Sequence, residues 1–212
     1  MSFYIVCLTP DLIAMAADRQ VVDADYNLLY KEKKIYRLKG GFWGIGIGLT
    51  SFVGGYLNLL QKTPFKTSRA KFLGSIMNLT YRAIQRLKFR LSGDSGLIIS
   101  GFEKGSPVLI NLKSTYHFKP IFQKTGYAYL LRHAPEEILK NDIVQKMKTF
   151  GGLLHYGASI EQQKDYLFEI FSNILRLQHD FYDFVSSEGD VVFAFPNGSY
   201  ERKAINANDH KS

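Results

Sequence analysis

Residues 40–61 run for 22 positions without one charged side chain. A stretch of that length has the reach of a membrane helix, and Gly44 and Gly48 stand at GxxxG spacing. Its composition argues otherwise. Seven of the residues are glycine, and Thr50, Ser51 and Asn58 add polarity. The first half alternates with a period of two while the second half has helical spacing, so the segment reads as a buried strand running into a helix. No membrane partner is expected.

The flanking sequence extends this pattern. Residues 35–38 and 42–47, joined across Gly40-Gly41, read as a hairpin. An earlier hairpin pairs residues 3–8 with 12–17 around Thr9-Pro10-Asp11. A polar loop beginning at Asp18-Arg19 links the two, so four strands precede any helix. Residues 49–60 then form a helix on Phe52, Val53, Tyr56, Leu57 and Leu60. A second helix opens with Thr67 or Ser68 as N-cap and buries Leu73, Ile76, Met77, Ile84 and Leu87. Residues 96–102 and 107–112 make a third hairpin across Glu103-Lys104-Gly105-Ser106, and residues 127–131 a further strand. Only short helical patches, around 136–147, are legible between 132 and 157. Ser159-Ile160-Glu161-Gln162 is a capping signal for a long helix with the stripe Leu167, Ile170, Phe171, Ile174 and Leu175. Residues 191–195 form the last strand, and the polar tail of 197–212 is expected to fray. Helices come in blocks and do not alternate with strands, which predicts an α+β fold of antiparallel sheets covered by helices, in one domain spanning 1–212.

Composition narrows the function. A chain of 212 residues with 46% hydrophobic and 22% charged residues is globular, and buries roughly 70% of its unfolded surface. The single cysteine, Cys7, excludes a disulfide framework or a CxxC metal or redox site, and with no basic n-region at Met1-Ser2-Phe3-Tyr4 the expected compartment is the cytoplasm. The net charge is +8, but Lys66, Arg69, Lys71, Arg82, Arg86, Lys88 and Arg90 are interrupted by apolar residues at the spacing of a solvated helix face. No nucleic-acid partner is expected. The five histidines have no metal-ligand spacing, Gly44-Ile45-Gly46-Ile47-Gly48 lacks the third glycine and the βαβ frame of a dinucleotide loop, and there is no GxSxG elbow or P-loop. Neither metal nor cofactor is expected.

What remains is the amino end. Ser2 follows the initiator methionine and is small enough to permit its removal, which leaves a hydroxyl beside a free α-amine. That amine has a reference pKa of about 7.7–8.0, so it is a base built into the nucleophile's own residue. Asp18 closes the first hairpin and Lys34 opens the second, where a lysine near the amine would lower its pKa. Gly48 ends a strand before a helix, a position whose backbone N–H can serve an oxyanion. A hairpin-end ion pair, a helix-start glycine and an ordinary first residue are the alternative readings.

The start Ser2-Phe3-Tyr4-Ile5-Val6, the hairpin end Ala16-Ala17-Asp18-Arg19, Lys34-Ile35 and Gly44-Ile45-Gly46-Ile47-Gly48 together resemble the proteasome β-subunit family of N-terminal nucleophile hydrolases. Asp18, Lys34 and Gly48 lie 16, 32 and 46 residues after Ser2, intervals that match the family's aspartate, lysine and oxyanion-hole glycine. The resemblance implies a four-layer αββα sandwich and an amide or peptide hydrolase. In it Ser2 stands where the family usually has threonine, and Asp183 and Ser186 are the counterparts of its late aspartate and serine. It further implies peptide or protein substrates and a homo-oligomeric ring, and leaves open whether there is an ATPase partner. The alternative is a catalytically inactive structural or assembly subunit of the same fold.

Overall fold

The computed structural model describes residues 4–22, 28–86, 94–123, 128–130 and 136–206. The chain is α+β, as the block order predicts, and forms two compact units, one of residues 1–34 with 126–212 and one of residues 35–125.

In the first unit, β1 (Tyr4–Leu8) turns through Thr9-Pro10-Asp11 into β2 (Ile13–Asp18). The turn is closed by Thr9, whose N–H donates to the Leu12 carbonyl at 2.8 Å. The ribbon of β3 (Gln20–Val22) and β4 (Leu28–Lys31) follows as a separate two-stranded sheet. After the second unit the chain returns with β10 (Ala128–Leu130), α3 (Glu136–His155), α4 (Ile160–Phe181), β11 (Glu188–Ala194) and β12 (Tyr200–Asn206). The five-stranded antiparallel sheet has the order β10-β1-β2-β11-β12. Its Ile5, Cys7, Ala14, Ala16, Val191 and Phe193 pack in one core with Leu167, Ile170, Phe171, Ile174 and Leu175, the stripe the sequence assigns to α4. The expected capping box is present: Gln162 N–H donates to Ser159 Oγ at 3.3 Å and Ser159 N–H donates to Gln162 Oε1 at 2.8 Å.

The second unit holds β5 (Ile35–Arg37), β6 (Phe42–Ile47), α1 (Thr50–Lys62), α2 (Ala70–Arg86), β7 (Gly96–Glu103), β8 (Ser106–Lys113) and β9 (Ile121–Gln123). Its five strands are antiparallel in sequence order. The β7–β8 turn places Lys104 at φ 53° and Gly105 at φ 78°, the signature of a type I′ hairpin. The glycines of β6 are packing devices. A Cβ on Gly44 would stand 2.8 Å from a Leu57 methyl, and one on Gly46 3.0 Å from the other, so α1 lies on the strand where only hydrogen fits.

Several boundaries differ from the sequence expectation. Six strands precede the first helix, not four, because the short β3–β4 ribbon lies in what reads as polar loop. The patches of 136–147 belong to one helix that continues to His155. The tail does not fray from 197: β12 pairs with all of β11, and it reads as polar because it is an edge strand that buries Ile205. The strand expected over 191–195 is β11, which begins earlier, at Glu188, and is followed by β12. Neither Thr67 nor Ser68 caps α2. Thr67–Arg69 is a 3₁₀ turn after Lys66, and the Thr67 hydroxyl instead donates to Glu103 Oε1 at 2.6 Å. Along α2, Leu73 and Met77 are buried, whereas Ile76 faces outward and Leu87 lies outside the described residues.

Candidate active site

The site is assembled where β2 ends. In the antiparallel register Tyr4 pairs with Ala17, so the first described residue of β1 lies beside the residue preceding Asp18, and Gly189 of β11 pairs with Asp18 from the other side. That register needs a glycine at 189, since a Cβ there would stand 2.8 Å from the Ala17 carbonyl oxygen and 2.9 Å from Leu175.

Asp18 is fully buried and Lys34 is 6% exposed. Their ion pair is direct, Lys34 Nζ to Asp18 Oδ1 at 2.8 Å. The second carboxylate oxygen accepts the Gln20 backbone N–H at 3.1 Å, and Lys34 Nζ donates also to the Gln20 carbonyl oxygen. A buried charge pair repays its desolvation only when further hydrogen bonds support it, and here the peptide groups of Gln20 give one to each partner. Gln20 further donates its side-chain Nε2 to the Asp183 carbonyl oxygen at 3.2 Å, so one residue ties together the strand end, the lysine and the segment before β11. Asp183 joins the cluster through its backbone, and its residue is exposed. Ser186 is buried, and its hydroxyl accepts the Glu188 N–H at 3.0 Å.

A second ionic layer lies alongside. Arg19 grips Asp190 in a fork, Nε to Oδ2 at 3.0 Å and Nη2 to Oδ1 at 2.8 Å, while Glu188 lies 3.8 Å from Arg19 Nη1 and 3.0 Å from Lys31 Nζ. The hydrogen bonding of its guanidinium to Asp190 raises the Arg19 pKa, opposed by partial burial and reinforced by the charges of Asp190 and Glu188. Sequence reasoning missed Gln20, Asp190 and Glu188. A signal was available for Asp190, a carboxylate inside the otherwise apolar run Gly189-Asp190-Val191-Val192-Phe193, since a buried charge requires a partner. Gln20 acts through its peptide groups and has no such signal.

Gly48 belongs to the second unit. It has φ +83°, and a Cβ would lie 2.3 Å from the Asp94 carbonyl oxygen and 2.6 Å from Ser95 Oγ, so no other residue fits. The following peptide is held by Ser95, whose Oγ accepts the Leu49 N–H at 3.3 Å at the start of α1. Ser2 lies outside the described residues.

No protein-family model matches the sequence, and no curated protein does. Among solved structures, the chain is similar to the Anbu (Gly-1) mutant from Hyphomicrobium sp. strain MC1, with TM-score 0.65 and 14% identity over 99% of this chain and 90% of that one. It is similar also to Anbu, described as an ancestral beta-subunit, from Yersinia bercovieri, with TM-score 0.66 and 14% identity over 99% of this chain and 89% of that one. Along essentially its whole described length, the chain therefore has a fold similar to that of these Anbu proteins.

Proposed function

We propose that this chain is a proteasome-like N-terminal nucleophile hydrolase of amide or peptide bonds that uses Ser2 once Met1 is removed. The observation that carries the reading is the buried Asp18–Lys34 pair at the end of β2, each partner hydrogen-bonded to the backbone of Gln20. Ser2 is two residues before Tyr4, a reach of at most ~7 Å, and Tyr4 is in register with Ala17. The structural likeness to a protein described as an ancestral beta-subunit supports the same assignment. A four-layer αββα arrangement accompanies it. Each five-stranded sheet packs one face on its own helices, and the alternate residues, Tyr4, Val6, Ile13 and Met15 in one and Ile45 and Ile98 in the other, are also buried.

In this mechanism the Ser2 α-amine takes the proton of its own Oγ as Oγ attacks the substrate carbonyl carbon. The Lys34 ammonium, oriented by Asp18, supplies positive potential to the site, and the Gly48 N–H donates to the oxyanion. Collapse of the tetrahedral adduct breaks the C–N bond, and the departing amine takes the proton from the Ser2 ammonium. An ester on Ser2 remains, and a water activated by the same amine hydrolyses it. The partners that accompany this reading are a peptide or protein substrate and further copies of the chain. Turnover of fluorogenic peptides by wild-type, Ser2→Ala and Lys34→Ala protein tests it. Loss of turnover in both variants is expected. Full turnover by Ser2→Ala contradicts the assignment and leaves the non-catalytic subunit as the better account.

A further inference from the structure

The N–H assigned to the oxyanion belongs to a glycine, and a glycine at φ +83° keeps one direction only if its surroundings impose it. Around Gly48 those surroundings are hydrogen bonds between residues far apart in the chain. Ser95 is 2% exposed, and its Oγ accepts the Leu49 N–H at 3.3 Å. Leu49 is the N-cap of α1 and has no side chain able to hold the turn itself. The hydroxyl is supplied instead from the residue before β7, the strand paired with β6.

Ser95 is fixed in turn by Ser114. The Ser114 N–H donates to the Ser95 carbonyl at 2.8 Å, the Ser95 N–H donates to Ser114 Oγ at 3.0 Å, and the Ser114 hydroxyl donates to Asp94 Oδ1 at 3.4 Å. These bonds carry the β7–β8 ladder one rung past the Gly96–Lys113 pair. Beyond Ser114 the backbone is strained. The 3₁₀ turn Ser114–Tyr116 closes with the His117 N–H on the Ser114 carbonyl at 2.9 Å, and His117 and Phe118 follow at φ 51° and 55°. Two successive non-glycine residues in the left-handed region persist only where the structure around them over-determines their conformation. Here Phe118 is 1% exposed in the core of this unit, and its N–H donates to the Lys113 carbonyl at 2.8 Å. Its own carbonyl oxygen lies so close to α2 that a Cβ on Gly74 would stand 2.1 Å from it. The turn that carries Ser114 is thus pinned by the core and by α2.

We propose that Ser95 is a positioning residue for the oxyanion hole: by holding the Leu49 N–H it fixes the peptide after Gly48 and so aims the Gly48 N–H, while Ser114 and Asp94 hold Ser95. The inference rests on the hydrolase reading above and deepens it. An oxyanion donor is effective because it is aimed before charge develops, and an N–H free to turn loses that advantage. Ser95 acts through the peptide and not on the substrate.

The test is the rate at which the full-length protein is acylated at Ser2 by a peptide β-lactone, followed by intact mass over a range of lactone concentrations and from about pH 6 to 9, across the titration of an α-amine. Wild type is expected to form one adduct. Ser95→Ala is expected to lower the saturating rate about 10–100-fold, less than the 10²–10³ that loss of an oxyanion donor costs. The half-saturating concentration and the pH profile are expected to stay as in wild type, because neither substrate contacts nor the amine are altered. Ser95→Thr keeps the hydroxyl and is expected to recover most of the rate, and Ser114→Ala to lose less than Ser95→Ala. Ser100→Ala is the control for stability. Its buried hydroxyl donates to the Val108 carbonyl at 3.0 Å on the same strand pair, opposite Trp43 at the other end of β6, and it is expected to react like wild type. Melting temperatures confirm that each rate refers to folded protein. With wild type acylated, the proposal alone is overturned by a wild-type rate in Ser95→Ala, a displaced pH profile, an equal loss in Ser100→Ala, or Ser95→Thr no faster than Ser95→Ala. A wild type that forms no adduct overturns the hydrolase reading and this proposal together.

Discussion

Lys34 and Asp18 illustrate how a buried ion pair constrains stability. Because both are buried, removing one leaves the other as an uncompensated charge, which costs about 3–5 kcal/mol. Lys34→Ala is therefore expected to lose stability by that amount in urea unfolding as well as turnover. Ser2→Ala is expected to lose turnover alone, so the two variants separate chemistry from folding. Cys7 gives a prediction for pH. Burial pushes its thiol pKa up to about 12, against an unfolded value near 8.5. Below about pH 8.5 both states hold the proton and the group adds no slope. Above it the unfolded chain releases the proton and the folded chain does not, so stability falls with pH by up to about 1.4 kcal/mol per unit until about pH 12. Urea midpoints between pH 8 and 11 check this: Cys7→Ala is expected to lose less stability with rising pH than wild type, and the native thiol to resist iodoacetamide at pH 8.

At the scale of elements, the glycines of β6 separate two roles. Gly44→Ala crowds a Leu57 methyl that can turn aside, an overpacking expected to cost about 1–3 kcal/mol by thermal unfolding. Gly48→Ala is expected to cost more and to remove activity, because its obstacles include the Asp94 carbonyl and its φ is +83°. These elements were legible in the sequence to the extent that each announces itself locally. The α4 stripe, its capping box and the hairpins with Pro-Asp or Lys-Gly turns carry their chemistry within a few residues. The β3–β4 ribbon and β12 do not, because neither alternates in the way a half-buried strand does: β4 leaves Leu28, Leu29 and Tyr30 exposed, and of the seven residues of β12 only Ile205 is buried. The same applies to the site. Asp18, Lys34 and Gly48 could be singled out by type and interval, whereas Gln20 contributes mainly backbone groups that any residue has.

For the whole molecule, the order of the chain conceals how function is distributed. The unit holding Asp18, Lys34, Asp183 and Ser186 is drawn from both ends of the sequence, and Gly48 belongs to the basic unit of the intervening residues. That basic unit carries 14 Lys and Arg against 2 Asp and Glu, and the other 13 against 17. Charge, core and candidate chemistry are thus partitioned by fold and not by sequence position. At this scale everything proposed for the chain turns on Ser2, freed of Met1, as a nucleophile. The most direct test of this is the intact mass of the purified protein before and after incubation with a β-lactone that acylates N-terminal nucleophiles. The account predicts loss of one methionine and then one lactone adduct per chain, mapped to Ser2 and lost in Ser2→Ala. A retained Met1, or a free Ser2 that forms no adduct, contradicts it.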